Sequence, residues 1–226
     1  MIPLPSQVRR HQPVVTWTLV ALNVLIYLWD RRLALGGPPV IFSDLMMRPN
    51  EVVEALTGQG ERFSLVTVFT AMFLHGNLYH LVGNLLYLLT FGESVEEALG
   101  PWRYTVYYLF WGFVATAAHI FVDPSSTTPT LGASGAIGGV LGSFFLLFPA
   151  KRIELFLFVT TVIVDAWKLL GLWFLFQILL PQDGVANWAH AGGFMAGMLT
   201  VLIVGGRAKI LKGREHEFED DYDDDP

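Results

Sequence analysis

Charged residues are absent from long stretches of this 226-residue chain, and that absence constrains its fold more than any other feature. No Asp, Glu, Lys or Arg occurs in 13–29, 63–92, 104–122, 124–150, 169–182 or 184–206. A helix crossing the hydrocarbon core of a bilayer needs about 20 mostly apolar residues. In lipid the backbone must satisfy its own hydrogen bonds, so such stretches are expected to be helices. Composition agrees. The chain is 53% hydrophobic and only 15% charged, where soluble domains carry roughly 25% charged residues. Its mean hydropathy is +0.49.

Loop residues trim the runs. His75-Gly76-Asn77 interrupts 63–92, so a helix is expected from Asn77; PSSTTPTLGASG opens 124–150, so the helix there begins at Ser134 and ends at Phe148-Pro149. The expectation is an all-α membrane protein, a bundle of six transmembrane helices near 13–29, 77–92, 102–122, 134–148, 166–181 and 187–206. The fifth is the hardest to place. IELFLFVTTVIV (153–164) is apolar, but a span there would carry Asp165 and Lys168 toward mid-depth, where an unpaired charge is costly. The segment is therefore expected to be interfacial, with Lys168 snorkelling from the start of the helix.

Basic residues set the orientation. Arg9 and Arg10, Arg103, Lys151 and Arg152, and Arg207, Lys209, Lys212 and Arg214 all fall on one side of six spans, which assigns residues 1–12 and 207–226 to the cytoplasm. Loop 30–62 departs from the pattern with Arg31, Arg32, Arg48 and Arg62, mixed with five acids. The first span is followed by Asp30-Arg31-Arg32 rather than by a small-residue cleavage site, so it is expected to stay as an anchor. Eight of the twenty acids lie in EHEFEDDYDDDP, expected to be a solvated, disordered tail; without it the basic residues outnumber the acidic by two. No basic face for nucleic acid is present. The absence of cysteine excludes disulfides, thiolate metal sites and a cysteine nucleophile.

Polar residues at membrane depth are the informative ones. Spans two, four and six all start on the outer side. His80 and Asn84 lie one helical turn apart on span two, Ser134 opens span four, and His190 sits in the first turn of span six. Three helices thus bring Ser, His, His and Asn to similar depth. Span four (SGAIGGVLG) and span six (AHAGGFMAG) carry small residues four apart, as in Gly135/Gly139 and Gly193/Gly197. Such faces let helices approach closely. Taken singly, each feature has a plainer role: Ser134 as a helix cap, the glycines as packing, and His119, without a motif around it, as a structural residue. His75 and His80 lack the Glu of HExxH, which argues against a zinc peptidase, and no metal or other cofactor is expected.

Together, these residues resemble the rhomboid family of intramembrane serine proteases over roughly residues 60–206. HGNLYHLVGNLL is similar to the family's His-x₄-His-x₃-Asn pattern (His75, His80, Asn84), LGASGAIGG to Gly-x-Ser-Gly (Gly132, Ser134, Gly135), and WAHAGGFMAG to Ala-His-x-x-Gly-x-x-x-Gly (His190, Gly193, Gly197). GESVEEALGPWRY resembles the family's acidic-and-glycine turn, with Glu96, Gly100 and Arg103.

The resemblance implies a rhomboid-like domain over 13–206 and a Ser–His dyad. Ser134 would be the nucleophile and His190 the general base; His80, Asn84 and the Ser134 N–H would hold the oxyanion. The substrates implied are transmembrane proteins cleaved within the lipid bilayer near its outer face, with spans two and five as the lateral gate. The location expected is a bacterial-type plasma membrane. Two positions depart from the pattern. The aromatic residue usual four positions after the nucleophile is Gly138, so His190 must be positioned by something else. The first-loop Trp-Arg pair reads Val66-Thr67, so that loop is expected to fold or sit differently. Competing expectations are a catalytically silent rhomboid-like protein that binds transmembrane helices as chaperone or adaptor, and a histidine-based transporter. Against the latter, no inverted repeat is found.

Overall fold

The structure, a computed structural model, describes residues 2–3, 12–33, 35, 42–157, 160–180, 182 and 184–212. In chain order its elements are β1 (Ile2–Pro3), α1 (Val14–Asp30), a 3₁₀ turn (Ser43–Leu45), α2 (Pro49–Leu56) and α3 (Ser64–Thr70), which runs into a second 3₁₀ turn (Ala71–Phe73). Then come α4 (Leu78–Tyr87), a π-helical turn (Leu88–Gly92), α5 (Glu93–Leu99), α6 (Pro101–Val122), α7 (Ser134–Leu147), β2 (Arg152–Leu157), β3 (Thr160–Asp165), α8 (Ala166–Leu179), α9 (Asn187–Val204) and α10 (Gly206–Ile210).

Among the described residues two helices, α6 with 22 residues and α9 with 18, are long and apolar enough to cross a membrane. A third candidate is the pair Ser64–Phe73 and Leu78–Leu99, bent by 74° at its break. Helices α1, α7 and α8 are apolar but shorter, at 17, 14 and 14 residues. A 14-residue helix rises only about 21 Å.

The all-α expectation is corrected at 153–164. Instead of adding helix, the segment forms two strands of an antiparallel sheet in the order β1-β2-β3, with Arg152 opposite Asp165 and Phe156 opposite Thr161. The cause is local. Ile153 and Leu155 are buried while Arg152, Glu154 and Phe156 are exposed, the period of two that defines a half-buried strand. β3 is rich in β-branched residues, Thr160 to Val164, which favour strands. Lys168 is exposed at the start of α8 and paired with Asp165 at 2.7 Å, so neither charge is isolated.

Loop 30–62 also holds more structure than expected, the helix α2 with Pro49 at its first position. Past α9, Arg207 Nε donates to the Leu147 carbonyl at 2.9 Å and Leu211 is fully buried. The first residues assigned to the tail therefore pack on the bundle; 213–226, with the acidic run, lie outside the described residues, as do 4–11.

Helix starts are set by specific groups. Asn77 caps α4, its side-chain oxygen accepting from the His80 N–H at 2.8 Å. Glu96 caps α1 from far along the chain: its carboxylate accepts from the Val15 and Thr16 N–H groups at 2.9 and 2.7 Å and from the Thr16 hydroxyl at 2.7 Å. This carries an anion to a helix N-terminus. Gly100 turns between α5 and α6 at φ +80°, followed by Pro101 at the first position of α6.

Helix α7 is buried almost all round from Ala136 to Phe144, as expected of a central helix. It meets α9 across glycine. A Cβ on Gly142 would collide with the Phe194 carbonyl, one on Gly193 with the Gly135 carbonyl, and one on Gly197 with the Gly139 carbonyl. On another side of α7, Gly139 faces the buried Trp111 of α6, whose indole N–H donates to Thr200 Oγ1 at 2.9 Å. The starts of α7 and α9 are thereby held side by side.

Candidate active site

Ser134 is the first residue of α7 and His190 lies in the first turn of α9. Ser134 Oγ and His190 Nε2 are hydrogen-bonded at 2.8 Å. The hydroxyl is directed at the histidine, and no side chain caps α7. Both residues are half-buried and line a cavity of about 480 Å³ together with His80, His119, Gly76 and Ala186. Three of the histidines from the uncharged runs thus converge on one space. His119, expected to be structural, is among them, with its Nε2 3.2 Å from Thr130 Oγ1.

Of the remaining motif residues, His80 lines this cavity and Gly132, Gly135, Asn84 and His75 do not. Gly132 has φ +126°, and a Cβ there would lie 2.7 Å from the His80 ring; a side chain would be both strained and blocked. Asn84 is buried, with Nδ2 hydrogen-bonded to His75 Nε2 at 2.9 Å. His75 is buried and its ring meets that of His80 edge-on, centroids 5.2 Å apart. Histidine 75 therefore supports Asn84 and His80 from behind rather than lining the cavity. A Cβ on Gly135 would press on Ala115 at 2.8 Å.

Loop 30–62 contributes something its charge pattern hid. Arg31, counted in the sequence as a loop charge, is buried, paired with Asp30 at 3.0 Å, and lies 4.0 Å above the Tyr27 ring. Its Nη2 donates to the His75 and Gly76 carbonyls at 2.7 and 2.8 Å. The guanidinium ties the end of α1 to the turn that introduces α4. At the positions of the missing Trp-Arg pair, on α3, Val66 is exposed and Thr67 is buried. Removing one member of a buried ion pair costs about 3–5 kcal/mol. Arg31→Met is expected to lower unfolding stability in detergent by that order; an unchanged midpoint would deny the clamp its role.

Sequence reasoning missed what holds His190. On its far side Nδ1 is hydrogen-bonded to Gln177 Oε1 at 2.8 Å. Asn187 Nδ2 donates to the same oxygen at 3.1 Å, while Asn187 Oδ1 accepts from the Gln182 N–H at 3.1 Å. Trp173 lies along the imidazole, centroids 5.9 Å apart and planes tilted by 32°. Trp173 and Gln177 are four residues apart on α8, hence on one face. Gly138 could not supply the aromatic itself: a Cβ there would sit 2.7 Å from the His190 carbonyl oxygen and 3.3 Å from the Phe194 nitrogen.

Residues 62–207 match the Rhomboid domain, and the chain belongs to this family. It is 33% identical over 147 residues to Rhomboid protein 1, mitochondrial, of Saccharomyces cerevisiae, covering 60% of this chain and 41% of that protein. It is 27% identical over 194 residues to Rhomboid protease GluP of Bacillus subtilis, covering 86% of this chain and 35% of the relative. A third relative, Rhomboid-type serine protease 2 of Emericella nidulans, is 34% identical over 153 residues, 63% of this chain and 27% of its own length. The chain thus spans less than half the length of these three relatives. The family and the apolar helices make it an integral membrane protein.

Proposed function

We propose that the chain is an intramembrane serine endopeptidase that cleaves transmembrane helices by a Ser134–His190 dyad. The observation that carries the reading is the 2.8 Å hydrogen bond between Ser134 Oγ and His190 Nε2. It lies within the range needed for a base to activate a nucleophile. Family membership and the relatives' names as proteases support the same class.

In this mechanism Ser134 Oγ attacks the scissile carbonyl carbon as His190 Nε2 takes its proton. The tetrahedral oxyanion is held by the Ser134 N–H and by His80 and Asn84. Asn84 Nδ2 carries two hydrogens, so its bond to His75 leaves one for the substrate. His190 then returns the proton to the leaving amine, and the acyl-enzyme forms. Water, deprotonated by the same nitrogen, releases the new carboxylate and restores Ser134. The substrates are transmembrane segments that unwind near the outer face. The six apolar helices α1, the helix Leu78–Leu99, α6, α7, α8 and α9 are the six spans of this reading, with both termini cytoplasmic in a bacterial-type plasma membrane.

The test needs no known substrate. Purified protein in liposomes is treated with a fluorophosphonate and its intact mass is read. The expected result is one adduct, absent in Ser134→Ala. No adduct on the wild-type chain, in liposomes and in detergent, would replace this proposal with a silent helix-binding protein.

A further inference from the structure

His190 carries the proposed chemistry, yet which of its two nitrogens bears the proton decides whether it can act. Only an unprotonated Nε2 can accept from Ser134 Oγ. The surrounding hydrogen bonds fix that choice. Asn187 Nδ2, a donor only, reaches Gln177 Oε1, so this atom serves as an acceptor. The same oxygen lies 2.8 Å from His190 Nδ1. Two acceptors cannot share a hydrogen bond, so Nδ1 bears the proton and Nε2 presents its lone pair to Ser134. Asn187 is itself held by the Gln182 N–H, which keeps its amide from turning over.

We propose that Gln177 is a positioning residue for the Ser134–His190 pair, holding His190 in the tautomer that can take the serine proton. The proposal rests on the protease reading above but makes claims beyond it. The helix α8 takes over, with Trp173 along the ring and Gln177 at its edge, what Gly138 has no room to provide. A neutral carboxamide performs here the orienting task that a carboxylate performs in other serine hydrolases. An amide suits a half-buried site at membrane depth, where a carboxylate would be costly to hold ionised. His190 protonation during turnover would place a single positive charge beside the Gln177 carbonyl dipole, whose oxygen end already points at it.

The test compares Gln177→Leu, which removes the acceptor, with Gln177→Glu, which keeps an oxygen at that position. Three readouts are taken on the full chain in detergent: fluorophosphonate labelling rate at Ser134, kcat and KM on a transmembrane reporter, and ¹⁵N resonances of histidine-labelled protein, with His190 assigned by its loss in His190→Ala. Gln177→Leu is expected to lower labelling rate and kcat by about 10²-fold, the scale of a misplaced catalytic group. KM should hold, the unfolding midpoint should fall only modestly because Asn187 Nδ2 loses the same acceptor, and the Nδ1–H signal of His190 should give way to a tautomer mixture. Gln177→Glu, whose neutral acid still carries a carbonyl oxygen acceptor, should restore part of the rate and the Nδ1–H signal. Full labelling and an unchanged Nδ1–H signal in Gln177→Leu would overturn the positioning role while leaving the protease reading intact. If the wild type is not labelled, the protease reading fails, and the ¹⁵N spectra still decide whether Gln177 sets the tautomer. Should Gln177→Leu not fold, a wild-type spectrum with the proton on Nε2 overturns the proposal by itself.

Discussion

His190→Ala is expected to reduce cleavage of a transmembrane reporter by about 10⁵-fold, as large a loss as Ser134→Ala, and the double variant should be no worse than either single one. In the proposed mechanism the two groups act as one unit. A serine hydroxyl is a weak nucleophile until a base takes its proton, and among the described residues the 2.8 Å bond to His190 Nε2 is the one the Ser134 hydroxyl makes. Removing the base leaves an inert alcohol; removing the alcohol leaves a base with nothing to deprotonate. Fluorophosphonate labelling at Ser134 should vanish with it. His80 and His119 share the cavity and are the alternative bases. If His190→Ala retains turnover within about 100-fold of wild type, the lower bound for losing a general base, one of those histidines is acting and the dyad assignment is wrong. The unfolding midpoint must be read alongside, because the imidazole also lies against Trp173.

What the sequence revealed of this site follows from what is costly in lipid. Ser134, His80, Asn84 and His190 are polar groups in charge-free runs, on three helices whose starts share one side, and small residues four apart marked the seam that joins two of those helices. Asn77 was legible as the start of α4 because His75-Gly76-Asn77 interrupts the apolar run there. Gln177 was not legible. A single glutamine near the end of WFLFQILL reads as a polar residue at a helix terminus, and its partners His190 and Asn187 come from another helix. The usable signal was its pairing with Trp173 one turn away, set against the missing aromatic at position 138. Arg31 escaped for a related reason: counted among loop charges, it bears on topology, yet its carbonyl partners at His75 and Gly76 are 44 and 45 residues away. The β2–β3 pair was hidden because its apolar content matched a membrane segment. Its β-branched residues and alternating Arg152-Ile153-Glu154-Leu155 pattern were the contrary evidence.

Restoring the missing aromatic at position 138 is expected to damage the protein. Gly138→Tyr should lower unfolding stability by at least the 1–3 kcal/mol typical of overpacking and reduce Ser134 labelling by about 10²-fold or more; Gly138→Ala should show the same effects in smaller measure. The added Cβ meets the His190 carbonyl oxygen at 2.7 Å and the Phe194 nitrogen at 3.3 Å. These are backbone atoms of a helix and cannot swing aside as a side chain can. Relief requires α7 and α9 to separate, and the close contacts of Gly142 with Phe194, Gly193 with Gly135 and Gly197 with Gly139 lie along the same seam. Ser134 and His190 sit at its end, so separation lengthens their hydrogen bond directly. Gly83→Ala is the control: it too is a helical glycine, with nothing within 4 Å of the added Cβ. There the substitution should be neutral or stabilise by about 0.5–1 kcal/mol, the ordinary helical preference for Ala. If Gly138→Tyr folds and labels like wild type, the seam is looser than these contacts require, and Gln177 and Trp173 are not the sole supports of His190.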